Sequence, residues 1–253
     1  MIPTIPILFT GGSYGTYLEY ILDTYSSYGT NCSGSLPFDS RGSSHGYRGN
    51  HIDDWGSYKQ SKNYTNFVRW HPKQDHTNAN QLPKIDEILE DVSKLILIYP
   101  EKKSHVLCIN NIFDKYFKSD IQLFLRERGL NINSFDNWDI QAIQLKDIPL
   151  WIVREYLSMF LVPAFESELD WDIRPDLPSN VHIITVENLL YNFSHVLEEI
   201  TNEFGITFNQ QAYDTHSKML NLQKHLHKHD IIERIVNSVI HGHDYDWRSE
   251  QLT

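Results

Sequence analysis

The sequence predicts an α/β protein, a three-layer αβα arrangement around a central parallel sheet. Three observations carry that expectation. The apolar segment Ile5-Pro6-Ile7-Leu8-Phe9-Thr10 runs directly into Gly11-Gly12-Ser13-Tyr14-Gly15-Thr16 and from there into an amphipathic stretch. Lys94–Tyr99 and Val181–Val186 are short continuous apolar runs, the pattern of strands buried on both faces. Between these runs lie segments of helical period, and strands alternating with helices build a parallel sheet.

Taken in order, Ile5–Phe9 reads as a buried strand ended by Gly-Gly. Tyr14–Tyr25 reads as a helix, with Leu18, Ile21, Leu22 and Tyr25 on one face. Residues 26–63 are rich in Ser, Gly, Asn, Asp and Tyr and carry little apolar periodicity, which predicts a long loop excursion. Asn66–Trp70 is a short strand and Ile85–Ser93 a helix. Lys94–Tyr99 is the strongest strand, closed by Pro100. Ser104–Phe117 and Asp120–Arg128 read as two helices, while Asp139–Lys146 has no assignment. Pro149–Phe165 reads as one long apolar helix with proline at its start. Val181–Val186 is the last strand and Glu187–Phe204 a helix stopped by Gly205. Gln210–Val239 is helical, and 242–253 is a polar tail.

Composition bounds the function. A chain of 253 residues with 40% hydrophobic and 13% aromatic residues is globular and of single-domain size. The expected organisation is therefore one domain over 1–253, with the excursion at 26–63 and a helical C-terminal part at 210–240. A formal charge of −11 argues against a nucleic-acid or anionic-membrane surface. Cys32 and Cys108 give no disulfide framework, which fits a reducing cytoplasm. No apolar run reaches the ~18 residues of a membrane span, and the N-terminal segment lacks the charged region of a signal peptide.

The first loop carries the functional signal. Glycines allow tight turning and close approach to a ligand, and the following helix start adds unpaired N–H donors and the positive end of its dipole. Gly11, Gly12, Ser13, Tyr14, Gly15, Thr16 and Tyr17 are thus candidate phosphate-binding residues. The lysine of a nucleotide-hydrolysing GxxxxGK[ST] loop is absent. Ligands of parallel sheets sit at the carboxyl ends of the strands. That rule groups this loop with the segments after Trp70 and Tyr99.

With those residues in hand, the chain resembles a divergent member of the P-loop sulfotransferases, which have a P-loop NTPase-like fold. Members of the family move a sulfuryl group from 3′-phosphoadenosine-5′-phosphosulfate (PAPS) to a hydroxyl or amine. Ser13-Tyr14-Gly15-Thr16-Tyr17-Leu18 is similar to the family's phosphosulfate loop, with Ser13 where the family has lysine or arginine. Phe67-Val68-Arg69-Trp70-His71-Pro72-Lys73 resembles its strand ending in a catalytic histidine. Val181–Gly205 is similar to its late strand and helix. The resemblance implies His71 as the base; the neighbouring Arg69 and Lys73 are read as supplying the positive charge that Ser13 lacks. It also implies a 3′-phosphate site, for which Ser104, Lys102, Lys103, Arg154 and Ser158 are candidates and Asn110 and Asn111 further donors. The family's Arg-Lys-Gly lid stretch is not recognisable in 241–248.

Each candidate has an ordinary reading too. Thirteen histidines dilute any single one. Arg154 in an apolar helix is commonly one half of an ion pair. His225 and His229 share a helical face but lack the glutamate of a HExxH zinc site, so no metal is expected; His241 and His243 are read alike. Tyr28, Phe38, Tyr47, Trp55 and Tyr58, with His45 and Arg48, suit a cover over a small-molecule or saccharide acceptor, or a contact in a homo-oligomer. The expected activity is a cytoplasmic PAPS-dependent sulfotransferase. The alternatives are a non-catalytic nucleotide-binding or interaction module on the same fold, and a P-loop kinase.

Overall fold

The computed structural model describes residues 2–30, 52, 55–70, 85–129, 149–168, 177–225 and 230–242. The chain divides into two compact units: Met1–Ser104 with Glu168–His227, and His105–Ser167 with Lys228–Thr253.

The first unit is α/β. Strands β1 (Ile5–Phe9), β2 (Phe67–Trp70), β3 (Leu95–Tyr99) and β4 (Val181–Thr185) form one sheet in the order β2-β1-β3-β4. Every pairing is parallel, with Leu8 opposite Trp70 and Leu97, and Tyr99 opposite Thr185. Pro6 to Phe9 and Leu95 to Ile98 are buried without alternation, as strands covered on both faces must be. The chain leaves β1 for β2 on one side and then returns to β3 on the other. The switch point of the topology therefore lies between β1 and β3, where ligands of such sheets bind.

Helix α1 (Gly15–Tyr25) follows β1. Helix α2 (Trp55–Ser61) forms inside the polar excursion and corrects its reading as loop alone. Trp55 and Tyr58 are buried with Leu8, Val68, Leu95 and Leu97, so these two rings belong to the core rather than to a cover over an acceptor. The indole Nε1–H of Trp55 donates to Asp91 at 3.0 Å, which satisfies its polar atom. Helix α3 (Ile85–Leu89) is shorter than expected. The predicted Glu187–Phe204 helix is two: α7 (Val186–Tyr191) and α8 (Phe193–Phe204), separated at Asn192, whose φ of −124° leaves the helical region. Gly205, at φ 69°, closes α8 in the left-handed conformation that glycine adopts without strain. Helix α9 (Gln210–His225) completes the unit.

The second unit is helical. The two expected helices between 104 and 128 are one, α4 (His105–Glu127), because no glycine or proline interrupts its apolar repeat. Cys108, Ile109, Phe113, Phe117, Ile121 and Phe124 are its buried face. The predicted Pro149–Phe165 helix has a π-helical turn at Leu157–Leu161 between α5 (Leu150–Tyr156) and α6 (Val162–Glu168). Pro163 accounts for it: proline has no N–H to offer the Met159 carbonyl four residues back, and its ring clashes with it. The Tyr156 ring meets Phe117 edge-on at 5.0 Å and Phe124 at 5.7 Å. Helix α10 (Asp230–His241) packs on α4 through a face that includes Ile232, Ile235 and Val236.

Candidate functional site

The loop after β1 is built by backbone conformation. Gly12 has φ 78° and Tyr14 has φ 68°, so two left-handed residues flank Ser13. Left-handed and right-handed residues in succession turn main-chain N–H groups toward one side, the geometry of an anion nest. Tyr14 is the N-cap of α1, and its side chain makes no capping hydrogen bond. No acidic residue occupies the first turn. Neither a side-chain cap from Tyr14 nor a first-turn carboxylate offsets the positive end of α1.

Burial alternates along the loop. Gly11, Gly12, Tyr14 and Thr16 are half-buried, whereas Ser13, Gly15 and Tyr17 are buried. The buried three have structural work. Ser13 Oγ donates to the Thr10 carbonyl at 2.6 Å, and its N–H reaches the same oxygen at 3.2 Å. Position 13 is therefore the inside of a tight turn, with its side chain folded back on the chain. Gly15 lies on the Phe9 ring: a Cβ there would stand 2.1 Å from two ring carbons. The hydroxyl of Tyr17 donates to Nδ1 of His216 at 2.7 Å, and Nε2–H of His216 donates to the Leu190 carbonyl at 2.9 Å. A carbonyl only accepts, so this fixes the neutral ring with its proton on Nε2. The ring also stacks on Phe193 at 3.9 Å. Burial lowers the His216 pKa against a smaller opposing effect of the Leu190 bond, and burial raises that of Tyr17. The side chain of Tyr17 is committed to the core, so what this position offers a ligand is its main chain.

Beside the loop, Arg69 on β2 donates from Nη1 to Oε2 of Glu19 on α1 at 2.8 Å. The Glu19 side chain is 0% exposed and that of Arg69 is 12% exposed. The pair ties the second strand to the first helix one turn beyond the cradle. His71 and Lys73 lie outside the described residues, as do Phe38, His45, Tyr47, Arg48, 139–146, His229, His243 and 244–253.

On the other side of the switch point, β3 ends at Tyr99 and the chain turns through a 3₁₀ segment, Lys102–Ser104. Ser104 is buried, and its N–H donates to the Glu101 carbonyl at 2.7 Å. Lys103 is exposed and pairs with Glu101 at 2.8 Å. Arg154 and Ser158 belong to the second unit. Arg154 is exposed on α5, and Ser158 lies in the π-turn with Oγ donating to the Glu155 carbonyl at 3.3 Å. The widened turn alters the four-residue spacing that would put the two on one face of an α-helix.

Two groups at this end of the sheet escaped the sequence reading. Thr10, 3% exposed, has a buried Oγ1 with no hydrogen-bond partner among the described residues. Glu187, in the first turn of α7 just past β4, has both carboxylate oxygens buried and likewise unpartnered. In sequence Glu187 is the first residue of an expected helix and an ion-pair candidate for Arg154, with nothing to mark its carboxylate as buried. Among the described residues no group of three or more histidine, cysteine or acidic side chains could hold a metal ion, and no helix is long and apolar enough to cross a membrane. Set against protein-family models, curated proteins and solved structures, the chain matches none of them.

Proposed function

We propose that the Thr10–Thr16 loop, in a P-loop-like three-layer fold, binds the 5′-phosphosulfate of PAPS. The protein then moves the sulfuryl group to a hydroxyl or amine of a small-molecule or saccharide acceptor. The observation that carries the reading is the pair of left-handed residues, Gly12 and Tyr14, that turn the chain into the start of α1 at the strand end beside the switch point. A tyrosine held at φ 68° is backbone strain of the order of 1–3 kcal/mol, and such strain is kept where it shapes a site. In the reaction the acceptor oxygen or nitrogen bonds to sulfur, the bond from sulfur to the 5′-phosphate oxygen breaks, and 3′,5′-ADP leaves. His71 takes the acceptor's proton, and Lys73 and the loop N–H groups face the charge that grows on the leaving phosphate.

Two observations favour a second reading, a nucleotide-binding module without catalysis. Position 13, which the resemblance assigns to a cation, is a buried serine bonded to the main chain, and Arg69 is held by Glu19. Thermal unfolding with 3′,5′-ADP, ATP and GTP in parallel tests the binding step. Saturation at 100 times Kd adds about 2.7 kcal/mol of stability. A shift with 3′,5′-ADP, together with its release from PAPS on adding an acceptor pool, supports transfer. A shift without release supports the module. No shift with 3′,5′-ADP contradicts both the phosphosulfate site and the transfer.

A further inference from the structure

The parallel register brings the carboxyl ends of β1, β3 and β4 into one row; Thr10 directly follows β1, Glu187 stands two residues past β4 in the first turn of α7, and neither Thr10 Oγ1 nor the Glu187 carboxylate has a hydrogen-bond partner among the described residues. β1 and β4 are two strand spacings apart, roughly 10 Å. A carboxylate out of water with no donor is costly in the free protein. Lys103 feels Glu187 but is bonded to Glu101, whose hydrogen bond is the main cause of its raised pKa. Glu187 lies on the β3 and β4 side of the loop, opposite the β2 side to which the acceptor chemistry is assigned.

We propose that Glu187 is a ligand-binding carboxylate: it accepts a hydrogen bond from an O–H or N–H donor of the nucleoside part of a nucleotide whose phosphate sits in the Thr10–Thr16 loop. This rests on the loop being a phosphate site, and it names a nucleotide rather than a lone phosphate as the ligand. A carboxylate accepts such donors and repels a second phosphate, so the group that reaches it is a ribose hydroxyl or a base N–H. Thr10, buried at the end of β1 where the loop begins, would meet the phosphate end of the same ligand.

The test is titration of the wild-type chain, Glu187→Gln and Glu187→Ala with inorganic pyrophosphate, 3′,5′-ADP, ATP and GTP, with the unfolding temperature of each free protein measured alongside. The expected result is at least one nucleotide that binds the wild type about tenfold or more above pyrophosphate. Glu187→Ala then weakens that nucleotide by about tenfold to a hundredfold and leaves pyrophosphate unchanged. Glu187→Gln, which keeps the shape, weakens it less. The unfolding temperature of either variant equals or exceeds that of the wild type, because an unpaired buried charge has been removed. The inference is overturned if both variants bind the nucleotide like the wild type, or if no nucleotide exceeds pyrophosphate. It is equally overturned if the variants unfold at lower temperature with binding intact, the signature of a structural pairing with Lys103. Should ATP or GTP be the nucleotide that depends on Glu187, the inference stands and the sulfotransferase reading falls.

Discussion

A methyl group on Gly15 would overlap the ring of Phe9, so the glycine that a motif search scores as loop flexibility is in this chain a packing requirement between β1 and α1. Gly15→Ala forces the Phe9 ring or the start of α1 to move. The expected cost is about 1–3 kcal/mol, read from a urea midpoint, and a change below 0.5 kcal/mol would mean that the contact yields freely. Arg69 and Glu19 make a sharper case. The sequence offers Arg69 as a cation for the leaving phosphate, whereas the structure shows its guanidinium on a fully buried carboxylate. Arg69→Ala strands that carboxylate and should cost about 3–5 kcal/mol, while the double change Arg69→Met with Glu19→Leu should come close to neutral. If Arg69→Ala leaves the urea midpoint unmoved, the pair is not structural and Arg69 is available to a ligand. Composition could not reveal this pairing, because Glu19 falls with Thr16 and Asp23 on the side that periodicity reads as polar, and nothing local marks it as buried.

At the level of elements, strands were the most legible part of the chain. Ile5–Phe9 is a strand as expected, and Lys94–Tyr99 and Val181–Val186 differ from the observed strands by a terminal residue each. Continuous apolar runs have few alternatives. Helix boundaries were less legible where one residue decides: Asn192 divides what periodicity joins, and Pro163 opens a π-turn in what reads as one helix. Helix α2 escaped because Trp55 and Tyr58 are too few apolar positions to show a period. The link from α1 to α9 through Tyr17 and His216, and on to α7 through Leu190, was not legible either, since its members are far apart in sequence. That link has a pH signature. Burial depresses the folded-state pKa of His216, so the folded chain binds fewer protons there than the unfolded one. Its contribution to stability is complete above the unfolded value of about 6.5 and is lost as pH falls below it. The Tyr17 pKa is raised, so its contribution is complete below about 10 and is lost as pH rises above it. His182, also lowered by burial, acts in the same direction as His216. Urea midpoints taken from pH 5 to 8 should therefore fall on the acid side for the wild type and fall less for His216→Leu. Parallel curves would contradict the assignment.

For the molecule as a whole, net charge and topology pull in different directions. A chain of −11 repels anions at a distance, so a nucleotide must be won by close-range donors: the turned loop, the start of α1 and the groups along the strand ends. The all-parallel order β2-β1-β3-β4 puts the strand ends side by side, and it is the parallel sheet that the alternation of strands and helices anticipated. The pattern does not specify chemistry. Ser13 turns inward, Arg69 is already paired, and the Glu187 carboxylate has no hydrogen-bond partner among the described residues, three facts that depend on burial rather than on residue type.

The central claim is that the loop after β1 holds the phosphate end of a nucleotide, and the most direct measurement is of the amides themselves. Titrating ¹⁵N-labelled protein with 3′,5′-ADP and following its amide spectrum should move the resonances of residues 11–16 first and furthest. Gly15 and Thr16, in the first turn of α1, should go downfield as their N–H groups bond to phosphate. If the ligand leaves residues 11–16 in place, or moves only resonances elsewhere, the cradle is a structural turn and the functional account built on it is wrong.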